Sequence, residues 1–93
     1  MQRAEPTEAE IGTWCVRYLE QELKLPAKRI DANVKFARLG MDSAMSVFLL
    51  ASLEDWLGIE LEADAVFAHP SIAELARYIV QRRAGASATR RPG

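Results

Sequence analysis

The chain holds one cysteine, Cys15, and one histidine, His69. A lone cysteine excludes an internal disulfide, and one Cys with one His is too few for the usual structural zinc site. A Ser-His-Asp catalytic set would have to use His69, with no spare. No apolar run approaches the roughly 20 residues of a membrane helix; the longest, Val47 to Ala51, is far too short. The N-terminal Met-Gln-Arg-Ala-Glu-Pro is followed by no apolar signal segment, so a cytoplasmic protein without membrane insertion is expected. Lys and Arg are absent from Gly40 to Ala76, where seven acids give a local charge of −7. Such a stretch repels nucleic acid and steers basic protein surfaces toward itself.

What is present fits one small domain. The chain has 93 residues, 49% apolar and 27% charged, which is ordinary for a globular chain with a modest core. Outside the acidic stretch the net charge is +6. Thr7-Glu8-Ala9-Glu10 is a capping-box pattern. Ile11, Cys15, Tyr18, Leu19 and Leu23 follow at helical spacing, which predicts a first helix over 7–23. Cys15 lies on this apolar stripe and reads as a small core residue.

From Lys24 to Asp42 the periodicity fails, broken by Pro26 and by the turn-like Asp31-Ala32-Asn33. Leu25, Ile30, Val34, Phe36 and Leu39 are expected to pin this long loop to the body. A second helix is predicted over 43–57. At about 100° per residue from Phe48, the residues Leu49, Leu50, Leu53 and Leu57 share one face, with Ser46 among them. Ala44, Phe48, Ala51, Ser52 and Asp55 fall opposite. Gly58 suits a left-handed cap. A short third helix is expected over 63–68, stopped by His69-Pro70. Ser71-Ile72-Ala73-Glu74 is a second capping box. Ile72, Leu75, Ala76, Ile79 and Val80 supply the stripe of a last helix, with Arg82 and Arg83 at its C-terminal end.

No strand-like alternation or internal repeat occurs. The expected fold is all-α: a small four-helix bundle, three longer helices plus a short third, with a long loop between the first and second. Residues 1–6 read as an N-terminal extension, 7–83 as the domain, and 84–93 as a flexible basic tail or linker.

Leu39-Gly40-Met41-Asp42-Ser43 puts a serine at a helix start after a turn-permitting glycine. Helix N-termini present unpaired N–H groups and partial positive charge, which suit a phosphate ester on Ser43. By itself the pair reads more readily as a helix cap. Met45 stands where a nucleophile elbow needs its second glycine, so a serine hydrolase using Ser43 and His69 is disfavoured.

The pattern Phe36-x-x-Leu39-Gly40-Met41-Asp42-Ser43, then Leu53-Glu54, Leu57-Gly58-Ile59 and Phe67-x-x-Pro70-Ser71-Ile72-x-x-Leu75-Ala76-x-Tyr78-Ile79 strongly resembles the acyl carrier protein family. The resemblance spans about Thr7 to Arg83 and is most specific from Phe36 to Ile79. It implies a four-helix bundle with a long first loop. It implies a 4'-phosphopantetheine arm, transferred from coenzyme A onto Ser43 by a phosphopantetheinyl transferase that Asp42 helps to engage. It also implies a non-catalytic protein that carries acyl groups as thioesters on the arm's thiol. The Leu-Gly-Met-Asp-Ser and Pro-Ser-Ile blocks look most like polyketide synthase carriers. Expected partners are then an acyltransferase, a ketosynthase or an acyl-activating ligase, with the isolated chain a monomer.

Ala44 stands where the family usually has leucine, and Phe48 where many members have an acid. Ala44, Met45, Phe48, Ala51, Ser52 and Asp55 are taken as a partner-docking face with a small apolar patch. The alternatives are a peptidyl carrier of nonribosomal peptide synthesis and a helical adaptor that docks through Phe48 without an arm. Trp14, Trp56 and His69 read as packing residues.

Overall fold

The computed structural model describes residues 6–89. The expected N-terminal extension, apart from Pro6, lies outside the described residues, as do tail residues 90–93. Helix α1 (Glu8–Leu23) is opened by the predicted capping box. The Thr7 hydroxyl accepts from Glu10 N–H at 3.1 Å, and the Glu10 carboxylate accepts from Thr7 N–H at 2.8 Å. Lys24 closes it in the left-handed conformation.

The connection to the next long helix, α3 (Ser43–Leu57), contains a 3-10 turn (Ala27–Arg29) and a one-turn helix, α2 (Phe36–Leu39). Neither was expected, because four residues are too few to show a 3.6-residue period. Buried Phe36 anchors α2. Its N–H donates to the Pro70 carbonyl at 2.7 Å, and Ala73 N–H donates to Ala32 at 2.9 Å. These bonds fasten the connection to the start of the last helix, α5 (Ile72–Thr89). Gly40 ends α2 at φ 98°, a conformation costly for other residues.

Helix α3 (Ser43–Leu57) matches its predicted bounds and ends on left-handed Gly58. Leu49, Leu50 and Leu53 are buried, while Leu57 is half-buried. Helix α4 (Ala65–Ala68) starts two residues later than expected. Helix α5 (Ile72–Thr89) runs six residues past the predicted end at Arg83. Alanines at 84, 86 and 88 are strong helix formers and support the extension despite Gly85. Arg82 and Arg83 therefore do not sit at the helix end, and the expected dipole contact is replaced by contacts of Arg82 with Glu60 and Glu62.

The core is built from three stripes: Ile11, Cys15 and Leu19 of α1, Leu49 and Leu53 of α3, and Ile72, Leu75 and Ile79 of α5, all fully buried. Trp14 stacks between Tyr18 and Trp56, with centroids at 5.4 and 5.1 Å. No strand occurs among the described residues beyond one isolated bridge, Lys35 to Ser71. No helix is long and apolar enough to cross a membrane among the described residues.

Candidate functional site at the start of α3

Asp42, not Ser43, caps α3. Its side chain accepts from Met45 N–H at 2.9 Å, and its carbonyl accepts from Ser46 N–H and the Ser46 hydroxyl, both at 3.0 Å. This explains how Ser46 tolerates burial: its hydroxyl is bonded. Ser43 is thus the first residue of the helix and is exposed. Its hydroxyl is free of capping work. The first-turn N–H groups and the helix dipole stand next to it.

Ser43 also lines a groove of about 330 Å3 together with Phe36, Met41, Val66, Phe67 and Pro70 and the polar Asp42 and Ser46. An exposed hydroxyl at a helix N-terminus, whose partial positive charge is offset in part by the capping Asp42 carboxylate, and a mainly apolar groove fit a phosphate-linked arm with a long, weakly polar body.

The six residues expected to form a docking face all lie on α3. Ala44, Phe48, Ala51 and Asp55 are exposed, and Met45 and Ser52 are half-buried. Phe48 is 61% exposed, so it does not tuck under the loop. Two residues escaped the sequence reading. Val47 is 62% exposed and follows Ser43 by one turn, so its i+4 spacing was the available signal. Phe67 is 66% exposed and lines the groove with Ser43. An aromatic residue in a short apolar helix reads as core, and no local signal said otherwise.

Neither Cys15 nor His69 lines the groove beside Ser43. Burial pushes the Cys15 thiol up to about 12, which leaves it unreactive. His69 stacks on Tyr78 with centroids at 4.4 Å, and no hydrogen bond joins it to Ser43 among the described residues. A larger groove of about 810 Å3, lined by Gly12, Val16, Ala32, Ile72 and Ala73 among others, includes neither Ser43 nor Phe48.

The sequence matches the phosphopantetheine attachment site family over residues 14–79. It is 38% identical over 66 residues to a phenolphthiocerol/phthiocerol polyketide synthase of Mycobacterium tuberculosis, covering 71% of this chain and 4% of that protein. It is 31% identical over 78 residues to a non-reducing polyketide synthase of Trichophyton equinum, covering 84% of this chain and 4% of that protein. The chain thus spans about 4% of the length of these curated relatives. Among solved structures, a free-standing peptidyl carrier protein of Acinetobacter baumannii superposes with a TM-score of 0.78 at 27% identity, covering 83% of this chain and 96% of that one. An acyl carrier protein of Anabaena with a variant phosphopantetheinylation-site sequence gives 0.77 at 30% identity, covering 88% and 94%. Family match and bundle agree with the groove-side serine at a helix start: the chain belongs to the phosphopantetheine attachment site family.

Proposed function

We propose that Ser43 is the attachment point of 4'-phosphopantetheine and that the domain carries acyl intermediates of polyketide or related biosynthesis. The observation that carries this reading is the exposed Ser43 hydroxyl at the first position of α3, beside its own groove. When bound, the arm supplies a terminal thiol that holds acyl groups as thioesters. The residues of this chain then have distinct tasks. The Ser43 hydroxyl attacks the phosphorus of coenzyme A that bears the pantetheine. Its oxygen gains the O–P bond, 3',5'-ADP leaves, and the hydroxyl proton passes to the transferase. The resulting phosphodiester would rest against the first turn of α3, where Met45 and Ser46 N–H are already engaged by Asp42 and the other N–H groups are the donors left to it. Asp42 keeps the helix start in place, and its carboxylate would help the transferase hold the metal ion that in turn binds coenzyme A.

The docking face of Ala44, Met45, Phe48, Ala51, Ser52 and Asp55 serves the transferase and the acyl-loading and acyl-processing enzymes, such as an acyltransferase, a ketosynthase or an acyl-activating ligase. The acidic stretch from Gly40 to Ala76 steers basic partner surfaces toward it. The domain supplies no catalytic group of its own and works in the cytoplasm. A peptidyl carrier shares the fold, but the polyketide synthase relatives favour acyl cargo.

The test is the intact mass after incubation with coenzyme A, magnesium and a broad-specificity phosphopantetheinyl transferase, with Ser43→Ala alongside. The expected result is a gain of one phosphopantetheine in the wild type only. No gain in a folded wild type overturns the reading and leaves the adaptor alternative.

A further inference from the structure

Tyr78 touches the chain on both sides of α4. Its phenolic oxygen accepts from Glu62 N–H at 3.2 Å, three residues before the helix. Its ring stacks on His69, the residue after the helix, at 4.4 Å with planes 17° apart. One turn along α5, Arg82 donates Nε–H to the Glu60 carbonyl at 2.8 Å and pairs with Glu62 at 3.8 Å. From the other side, Glu54 of α3 accepts from Leu61 N–H at 2.8 Å.

Helix α4 has four residues, and a single turn does not hold itself together. Its position comes from two buried side chains, Ala65 and Val66, and from what grips its ends. Val66 and Phe67 form one wall of the groove onto which Ser43 opens. The width of that groove is therefore set where α4 is held.

We infer that Tyr78 is a positioning residue for the groove beside Ser43: it fixes α4, and with it Val66 and Phe67, by gripping Glu62 and His69 at once. The role of the groove rests on the reading of Ser43 as the attachment site; the grip does not. Tyr78→Phe removes the acceptor and keeps the ring. His69→Ala removes the stack and leaves Tyr78 in place, so it also serves should Tyr78→Phe unfold.

The first measurement is amide exchange in the unmodified full chain. Exchange at Ala68 is expected to quicken by about three- to tenfold in either variant, the loss of one net contact, with Leu53 and Ile79 unchanged. No change at Ala68, or equal acceleration at Leu53 and Ile79, overturns the grip. The second measurement is the shift of the Val66 and Phe67 amides when transferase and coenzyme A modify the chain. The wild type is expected to show it and Tyr78→Phe to lose at least half. Equal shifts in both overturn the link to the groove. Absence of modification in the wild type overturns the Ser43 reading instead, and the exchange result still decides the grip.

Discussion

Asp42 caps α3 through Met45, with its carboxylate 2.9 Å from the Met45 nitrogen, and this bond frees Ser43 from structural duty. The two neighbours divide the work: one holds the helix start, and the other presents a hydroxyl to solvent. The division is open to mutation.

Asp42→Ala should cost about 1 kcal/mol from the lost cap, lowering Tm by about 4–8 °C in a domain of this size. Asp42→Asn keeps a good capping acceptor and should leave Tm nearly unchanged. Both should slow modification by the transferase, since both lose the carboxylate. Thermal melts and timed mass spectra check this; normal modification of Asp42→Asn would remove Asp42 from the transferase contact.

Phe48 and Leu49 are adjacent and opposite in kind. Phe48 is 61% exposed and Leu49 is fully buried. Phe48→Glu should change stability by less than about 0.5 kcal/mol and lower kcat/KM for the transferase on the order of tenfold if the ring is an anchor of docking. Leu49→Ala should cost about 2–5 kcal/mol. Chemical denaturation with parallel modification kinetics separates the two.

Cys15 predicts a pH dependence. Burial raises its thiol in the folded state from the ordinary 9.0 to about 12. The unfolded chain ionises first, so it binds fewer protons than the folded chain between these values. Stability should be intact below pH 9 and fall as pH rises toward 12, at up to about 1.4 kcal/mol per pH unit. Cys15→Ala should flatten that part of the denaturation profile while lowering stability overall. In the native protein, Cys15 should resist alkylation, so a thiol reagent reports the arm alone.

Trp14 and Trp56 stack nearly parallel, 6° apart. Their coupled circular dichroism band should vanish equally in Trp14→Phe and Trp56→Phe, because it needs two indoles. A double-mutant cycle to alanine should give a coupling of about 0.5–1.5 kcal/mol. A band that survives either change would assign it to another pair.

Much of this was legible locally. The Thr7 box, the turn at Gly40 and the left-handed Gly58 are contacts within a few residues, so their chemistry is written in short segments. The apolar stripes of α1, α3 and α5 follow the helical period, and they named the buried residues because a helix must bury one face. The exposure of Phe48 followed from the same wheel. The choice between Asp42 and Ser43 as cap did not, because either side chain can reach a first-turn N–H and only the turn geometry selects one.

The amino-acid sequence by itself determined where the three long helices begin, which faces they bury, and that a serine opens the middle one. The tertiary structure alone decided what surrounds that serine. Helix α2 exists because Phe36 is buried and Phe36 N–H reaches Pro70. Phe67 faces solvent because Ala65 and Val66 take the buried side of a single turn. Tyr78 meets Glu62 and His69 across the bundle. Phe36 with Pro70 and Tyr78 with Glu62 join residues far apart in the chain, and no local period encodes which distant group arrives. Such contacts form only when the stripes have packed, which is why the groove beside Ser43 is a property of the folded bundle.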